Sequence, residues 1–370
     1  MKEAGRMGQL DALRAFAVGA VMLHHFYPTN FLSENFPVGS AGLYLFFVLS
    51  GFLITGLLLR GDRTGRFIGE FYFRRALRLL PLYYLVVIAL LLASRDAAAH
   101  WPCYTFQIMN FCVTAQSRWG PAGHFWSLAA EEQFYLLWPF AVLFLSRRTL
   151  VMLCWALIAL APLYRALATY LTHGIYVDTL LTGVVDCLAA GALLALAPSA
   201  FPERAMLRLG LLGCGLAFLV LRTGGESVAT AALMPTFLLP LLCWLVAGAS
   251  RGFQRGLGTV LSHPILRYIG RISYGMYVIH YFTIRLLAPV LPATLHPLLS
   301  VLALAALTIA LASISWFLYE RPINRLRDRL SASGFFGLVT PRPVARPAAA
   351  PARAQTPAEI ILESGAPKLP

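Results

Sequence analysis

The segment RAFAVGAVMLHHF opens on Arg14 and closes on His24 and His25. Eleven residues separate Arg14 from His25, about three turns of α-helix, so the two share nearly one face, roughly 16 Å apart along the axis. Asp11 stands three residues before Arg14 and can pair with it on that face. His24 points about 100° away from His25. A neutral imidazole can take a proton from a hydroxyl near neutral pH, and an ionisable group inside an apolar span points to function. The plainer reading has Arg14 snorkelling to the membrane surface and a histidine capping the far end of the helix.

Three further stretches carry groups of this kind. FYFRRALRLLPLYY sets Arg74, Arg75 and Arg78 in a dense cationic cluster just before Pro81. Guanidinium forks match phosphate oxygens, so a nucleotide-bearing cytosolic cofactor would suit the cluster; otherwise it only fixes orientation in the membrane. GHFWSLAAEEQFYLLWP places Glu131 and Glu132 in an apolar aromatic span, with Ser127 and Tyr135 each one turn from Glu131. Glutamates this deep need partners, and an arginine or histidine of another helix is the expected one, whether for chemistry or as a structural ion pair. IGRISYGMYVIHYF aligns Ser273, Tyr277 and His280 on one face, which also fits a structural hydrogen-bonded stripe. Asp186 is a lone acid in an apolar span, and Glu320 with Arg321 is expected to tie the last span to a loop.

The elements that must hold these groups are apolar helices. Of 370 residues, 59% are hydrophobic and 12% charged, and the mean hydropathy is +0.70. A soluble domain carries about 25% charged residues. The fold class is therefore an all-α polytopic membrane helical bundle. Ten candidate spans are marked at 9–28, 40–59, 79–94, 126–146, 150–171, 178–197, 208–222, 230–249, 272–291 and 297–318. No small-residue cleavage site cleanly follows the first, so it is expected to remain a helix. Arginines crowd alternate loops, such as Arg60 to Arg78 and Arg251 to Arg271, while the opposite loops offer little beyond Arg95, Arg118 and Arg222. The positive-inside rule then puts both termini in the cytoplasm.

The net charge of +14 belongs to this topology signal, and no basic stretch interleaved with aromatics suggests nucleic acid. The six cysteines show no metal spacing, and no metal site is expected. Cys103 and Cys112 could form a disulfide if their polar loop is extracytoplasmic. Residues 331–370, rich in Pro and Ala, read as a disordered cytoplasmic tail after a membrane domain over 1–330.

Taken in order, QLDALRAFAVGAVMLHH, GLYLFFVLSGFLIT, FYFRRALRLLPLYY, FWSLAAEEQFYLLWP, VVDCLAAGALLAL, IGRISYGMYVIHYF and YERPINRL resemble the motifs of the membrane acyltransferase-3 family, over about residues 9 to 326. The resemblance implies a bacterial inner-membrane O-acyltransferase. It would move an acyl group, usually acetyl, from cytosolic acyl-CoA to a hydroxyl of a surface glycan or lipid-linked sugar. It implies His25 as the catalytic residue, Arg14 as its partner and Glu131 as a buried acid. Arg74, Arg75 and Arg78 would bind the CoA phosphates, with Asp11, Ser127, Tyr135, Asp186 and His280 in support. His25 would either receive the acyl group or deprotonate the acceptor. The acceptor could be an exopolysaccharide, a lipopolysaccharide side chain, a lipid-linked sugar or a small secondary metabolite, and polysaccharide assembly proteins are expected partners besides membrane lipids. The chain departs from the pattern at Tyr44, where many members have an acid, and at Val184, where many have an arginine. No esterase-like domain follows the spans, so a stand-alone member is expected. The competing class is a transporter or flippase whose intramembrane His, Arg and Glu line a conduit.

Overall fold

The computed structural model describes residues 2–27, 36–61, 65–172, 177–224, 228–292 and 294–332. The tail expected from residue 331 falls almost wholly outside the described residues. Among these there is no strand. Ten long helices follow one another: α1 Lys2–Phe26, α2 Val38–Arg60, α3 Gly65–Ala93, α4 Phe125–Phe144, α5 Arg147–Thr172, α6 Leu181–Leu196, α7 Glu203–Gly224, α8 Val228–Arg251, α9 Pro264–Leu287 and α10 Pro297–Ser315. A π-helical turn, Trp316–Glu320, leads from α10 into α11, Arg321–Ala332. Residues Met1–Arg327 make up one compact unit, and those from Asp328 onward belong to a second.

Each predicted span lies largely within one of the long helices. Six helices among the described residues are long and apolar enough to cross a membrane, namely α2, α3, α5, α7, α8 and the stretch from Pro297; α6 is apolar but shorter. They carry large exposed apolar side chains such as Leu92, Leu163 and Leu302. A soluble monomer does not expose such a belt. The protein is a multi-pass membrane protein.

The boundaries moved most at α3. The apolar run suggests a start near residue 79, yet the helix begins at Gly65 and runs through Pro81. Arginine and leucine are good helix formers, so FRRALRLL extends the helix backwards. Near the proline, the Tyr274 hydroxyl donates to the Leu79 carbonyl at 2.7 Å. That bond ties α9 to α3 beside the proline.

Two crossings fix the centre. α2 and α6 meet at Gly51 and Gly191: a Cβ on Gly51 would lie 1.9 Å from the Leu188 carbonyl oxygen, and one on Gly191 2.0 Å from that of Val48. α1 and α9 cross where Gly270 faces the backbone of Asp11, with room for a Cβ only 1.7 Å from its carbonyl oxygen. Small residues let helix backbones approach this closely inside a membrane. The second crossing runs α1 alongside α9 and brings His25 to His280 at its far end.

Between α3 and α4 the chain makes three short helical turns, Arg95–Ala99, Trp101–Thr105 and Met109–Gln116. Cys103 and Cys112 are joined by a disulfide here. Gly191→Val is expected to force α2 and α6 apart and to destabilise the bundle by about 1–3 kcal/mol, the usual penalty of overpacking. A lowered midpoint of thermal unfolding in detergent checks this; an unchanged midpoint contradicts the packing.

Candidate active site

Three helices converge on one carboxylate. The Ser50 hydroxyl from α2 and the Tyr135 hydroxyl from α4 both donate to Glu131 Oε1. From α3, Arg75 reaches the same oxygen at 3.8 Å, and its guanidinium lies 3.6 Å from the centre of the Tyr135 ring. The ring face and the carboxylate together hold the cation in place. Buried Nε of Arg75 has no hydrogen-bond partner among the described residues. The expected partner for Glu131 in another helix is thus Arg75, with two hydroxyls added.

This cluster lines a cavity with Arg14, Arg78, Ser127, Ser273, Tyr274 and Tyr277. Three arginines and one glutamate leave it net positive. Arg14 pairs with Asp11 at 2.7 Å, as the i,i+3 spacing suggests. Its cavity, however, is the arginine cavity and not the one His25 lines, so it stands as a member of the cationic set. The three turns between the two residues carry them to different cavities.

Of the three arginines expected at the phosphates, Arg74 stands apart from Arg75 and Arg78. It is half-exposed, bonds Glu70 one turn back at 2.5 Å and does not line the cavity. One residue of helical rotation, about 100°, separates it from Arg75.

A second cavity lies at the histidine end, lined by His24, His25, Ser40, Trp119, His124, Trp126 and Tyr281. Leu43 and Tyr277 line both cavities. The Tyr277 hydroxyl donates to the His124 carbonyl at 2.9 Å and lies 2.5 Å from the Ser127 hydroxyl. His280, fully buried, holds its Nδ1 2.7 Å from the Tyr277 carbonyl and its Nε2 3.0 Å from His25 Nδ1. Of the stripe on α9, Ser273 lines the arginine cavity, Tyr277 lines both cavities, and His280 is buried against His25.

Asp186 belongs to neither cavity. Its carboxylate meets Arg165 of α5 at 2.9 Å, and both side chains are only 1% exposed. Arg165 also donates to the carbonyls of Ala232 and Gly183 and to Thr236, so every direction of its fork is used. This is a structural lock between α5, α6 and α8, and the supporting role given to Asp186 at the site does not match its position. Glu320 differs too: it is buried and accepts from Ser315 at 3.0 Å instead of tying a loop.

Sequence reasoning missed His124 and Arg165. His124 stands at the edge of an aromatic run, where its only signal is GHFW. Arg165, deep inside the apolar run of α5, carried the same intramembrane-charge signal as Arg14.

A net-positive cavity and a histidine-lined cavity, back to back within a helical membrane bundle, suit transfer between two substrates. The chain belongs to the acyltransferase-3 family: the family's acyltransferase-domain profile matches residues 7–320. It is similar to the peptidoglycan O-acetyltransferase OatA of Listeria monocytogenes, 29% identical over 366 residues, covering 85% of this chain and 55% of that protein. It is also similar to the O-acetyltransferase OatA of Staphylococcus aureus strain NCTC 8325, 36% identical over 160 residues, which is 38% of this chain and 25% of that one. The chain spans about half the length, or less, of these curated relatives. No solved structure matches it. Among the described residues no cluster of His, Cys, Asp or Glu could hold a metal ion.

Asp186→Ala is expected to leave Arg165 buried without a counter-charge and to destabilise the protein by about 3–5 kcal/mol. Thermal unfolding in detergent measures this, and an unshifted midpoint would return Asp186 to the candidate site residues.

Proposed function

We propose that this chain is an O-acetyltransferase that takes the acetyl group from acetyl-CoA on the cytoplasmic side of a bacterial inner membrane. The acceptor is a hydroxyl of a glycan or lipid-linked sugar on the other side. The observation that carries the reading is the pair of cavities with Leu43 and Tyr277 common to both. A donor entering from the arginine side and an acceptor entering from the histidine side would meet at that boundary.

The arginine cavity suits the CoA phosphates. Arg78 and Arg75 line it, and the unpartnered Nε of Arg75 is a donor available to an anion. Charge-assisted guanidinium–phosphate bonds are the strong kind. Arg14 adds to the same positive field. On the other side, Trp119, Trp126 and Tyr281 offer flat apolar faces beside polar groups, a lining that suits a sugar ring. The names of the relatives, O-acetyltransferases and in one case a peptidoglycan O-acetyltransferase, favour a glycan hydroxyl as acceptor. The disulfide supports the orientation, because disulfides persist on the oxidising side of a membrane. Both termini then lie in the cytoplasm, in agreement with the arginine-rich loops.

In this reading His25 acts as general base. It takes the proton of the acceptor hydroxyl, and the oxygen attacks the thioester carbonyl. The carbon–sulfur bond breaks, and the departing thiolate collects the proton from His25 to leave as CoA. The products are an acetyl ester and a free thiol.

The test uses membrane vesicles carrying equal amounts of each protein, radiolabelled acetyl-CoA as donor, and base-labile label in the vesicle glycans as the readout. His25→Ala is expected to lower the rate by about 100-fold or more, the usual worth of a positioned base. Arg75→Ala with Arg78→Ala is expected to raise the KM for acetyl-CoA by about 10-fold, the loss of roughly one charged hydrogen bond. Transfer at the wild-type rate without His25 refutes its role. An unchanged KM in the double variant refutes the phosphate site.

A further inference from the structure

The hydrogen-bond order around His280 fixes which nitrogen of His25 can react. The Tyr277 carbonyl has no proton to give, so His280 Nδ1 must donate across the 2.7 Å between them. His280 is fully buried and has no ion pair among the described residues, a setting that keeps an imidazole neutral. A neutral imidazole with its proton on Nδ1 presents a lone pair at Nε2. That lone pair faces His25 Nδ1 at 3.0 Å, so His25 Nδ1 carries the proton and donates it. The lone pair of His25 then sits on Nε2, in a ring that is partly exposed and lines the histidine cavity.

We infer that His280 is a positioning residue that holds His25 in the tautomer whose Nε2 takes the acceptor proton. The inference rests on His25 being the base proposed above and adds the reason a second, buried histidine faces it. When His25 gains the proton and becomes an imidazolium, its Nδ1–H still points at the His280 lone pair. The positive charge formed in the reaction is thus met by a hydrogen bond already in place, with no proton required to leave His280. The two ring planes are tilted by 35° with their centres 5.0 Å apart, as an edge-to-edge N–H···N bond requires, and the Tyr281 ring stands nearly perpendicular to His25 at 5.6 Å. That packing restricts rotation of His25 about its side-chain bonds, so tautomer and direction are set together. An orienting group of this kind is a known partner of a catalytic histidine, although it is more often a carboxylate.

Two substitutions separate this role from simple packing. His280→Leu fills similar space and offers no acceptor. His280→Gln offers an amide oxygen near the position of Nε2. In the vesicle assay with radiolabelled acetyl-CoA, the leucine variant is expected to lose about 100-fold in kcat while its KM for acetyl-CoA stays within about twofold. The glutamine variant is expected to recover about 10-fold relative to leucine, because a hydrogen bond to an ionised partner contributes more than a neutral one. Both are compared at equal protein content and with thermal midpoints recorded. Equal losses in the two variants, or a loss that follows the thermal midpoint, would mean that His280 only fills space and would overturn the inference. No loss in either variant would overturn it as well. If the wild-type protein transfers no label, the acyl-transfer reading itself falls; if His25→Ala leaves transfer intact, the role of His25 falls and this inference with it. An inactive His25→Ala beside equal losses in the two His280 variants leaves the acyl-transfer reading standing and removes only this step.

Discussion

Glu131 is the constraint around which one half of the bundle is arranged. A carboxylate placed among apolar helices must be met by donors, and here they come from three separate helices: Ser50, Tyr135 and Arg75. Each of those groups is in turn held by the others. The Tyr135 ring lies under the Arg75 guanidinium, which also approaches the Glu131 carboxylate at 3.8 Å. Removing the acid would leave a buried guanidinium without compensation, which is far more expensive than never having placed the pair there. The arginine cavity therefore has its shape because its charges must be balanced, and the same balance leaves it with a surplus of positive charge.

A second buried ion pair shows the contrast. Arg165 and Asp186 are as deeply placed as any charged pair among the described residues, and all three nitrogens of Arg165 donate to groups of α6 and α8, Asp186 among them. Neither residue lines the arginine cavity or the histidine cavity. At Glu131 the satisfaction is incomplete, with Arg75 Nε unmet and Arg78 lining open space. Incomplete satisfaction beside a cavity, and not burial of charge as such, separates a binding site from a structural lock.

The histidine end follows a different logic. Among the described residues His25 pairs with no carboxylate, and its ring neighbours are His24, His280 and Tyr281. A chain of neutral hydrogen bonds anchored on a backbone carbonyl does the orienting that a carboxylate does elsewhere. Among the described residues that line it the cavity holds no carboxylate, and the arrangement adds no buried charge that would need a partner of its own.

The amino-acid sequence determined the helical membrane class, the places of the ten long helices, the family and most of the groups that line the two cavities. Hydropathy and residue spacing carry that information because they act within one helix, where rise and rotation per residue are constants. The pairings Asp11 with Arg14 and Tyr135 with Glu131 were legible for the same reason. Everything between helices was decided by tertiary structure. Arg74 and Arg75 are neighbours in sequence, yet only the orientation of α3 against α4 turns Arg75 to Glu131 and leaves Arg74 with Glu70. Arg14 and His25 share a helix, yet the helices packed around α1 divide them between two cavities. Asp186 found Arg165 across 21 residues, and His25 found His280 across 255. Such contacts depend on where glycines let backbones cross and which helix faces meet there, and a rotation of one helix by a single residue would exchange every partner along it.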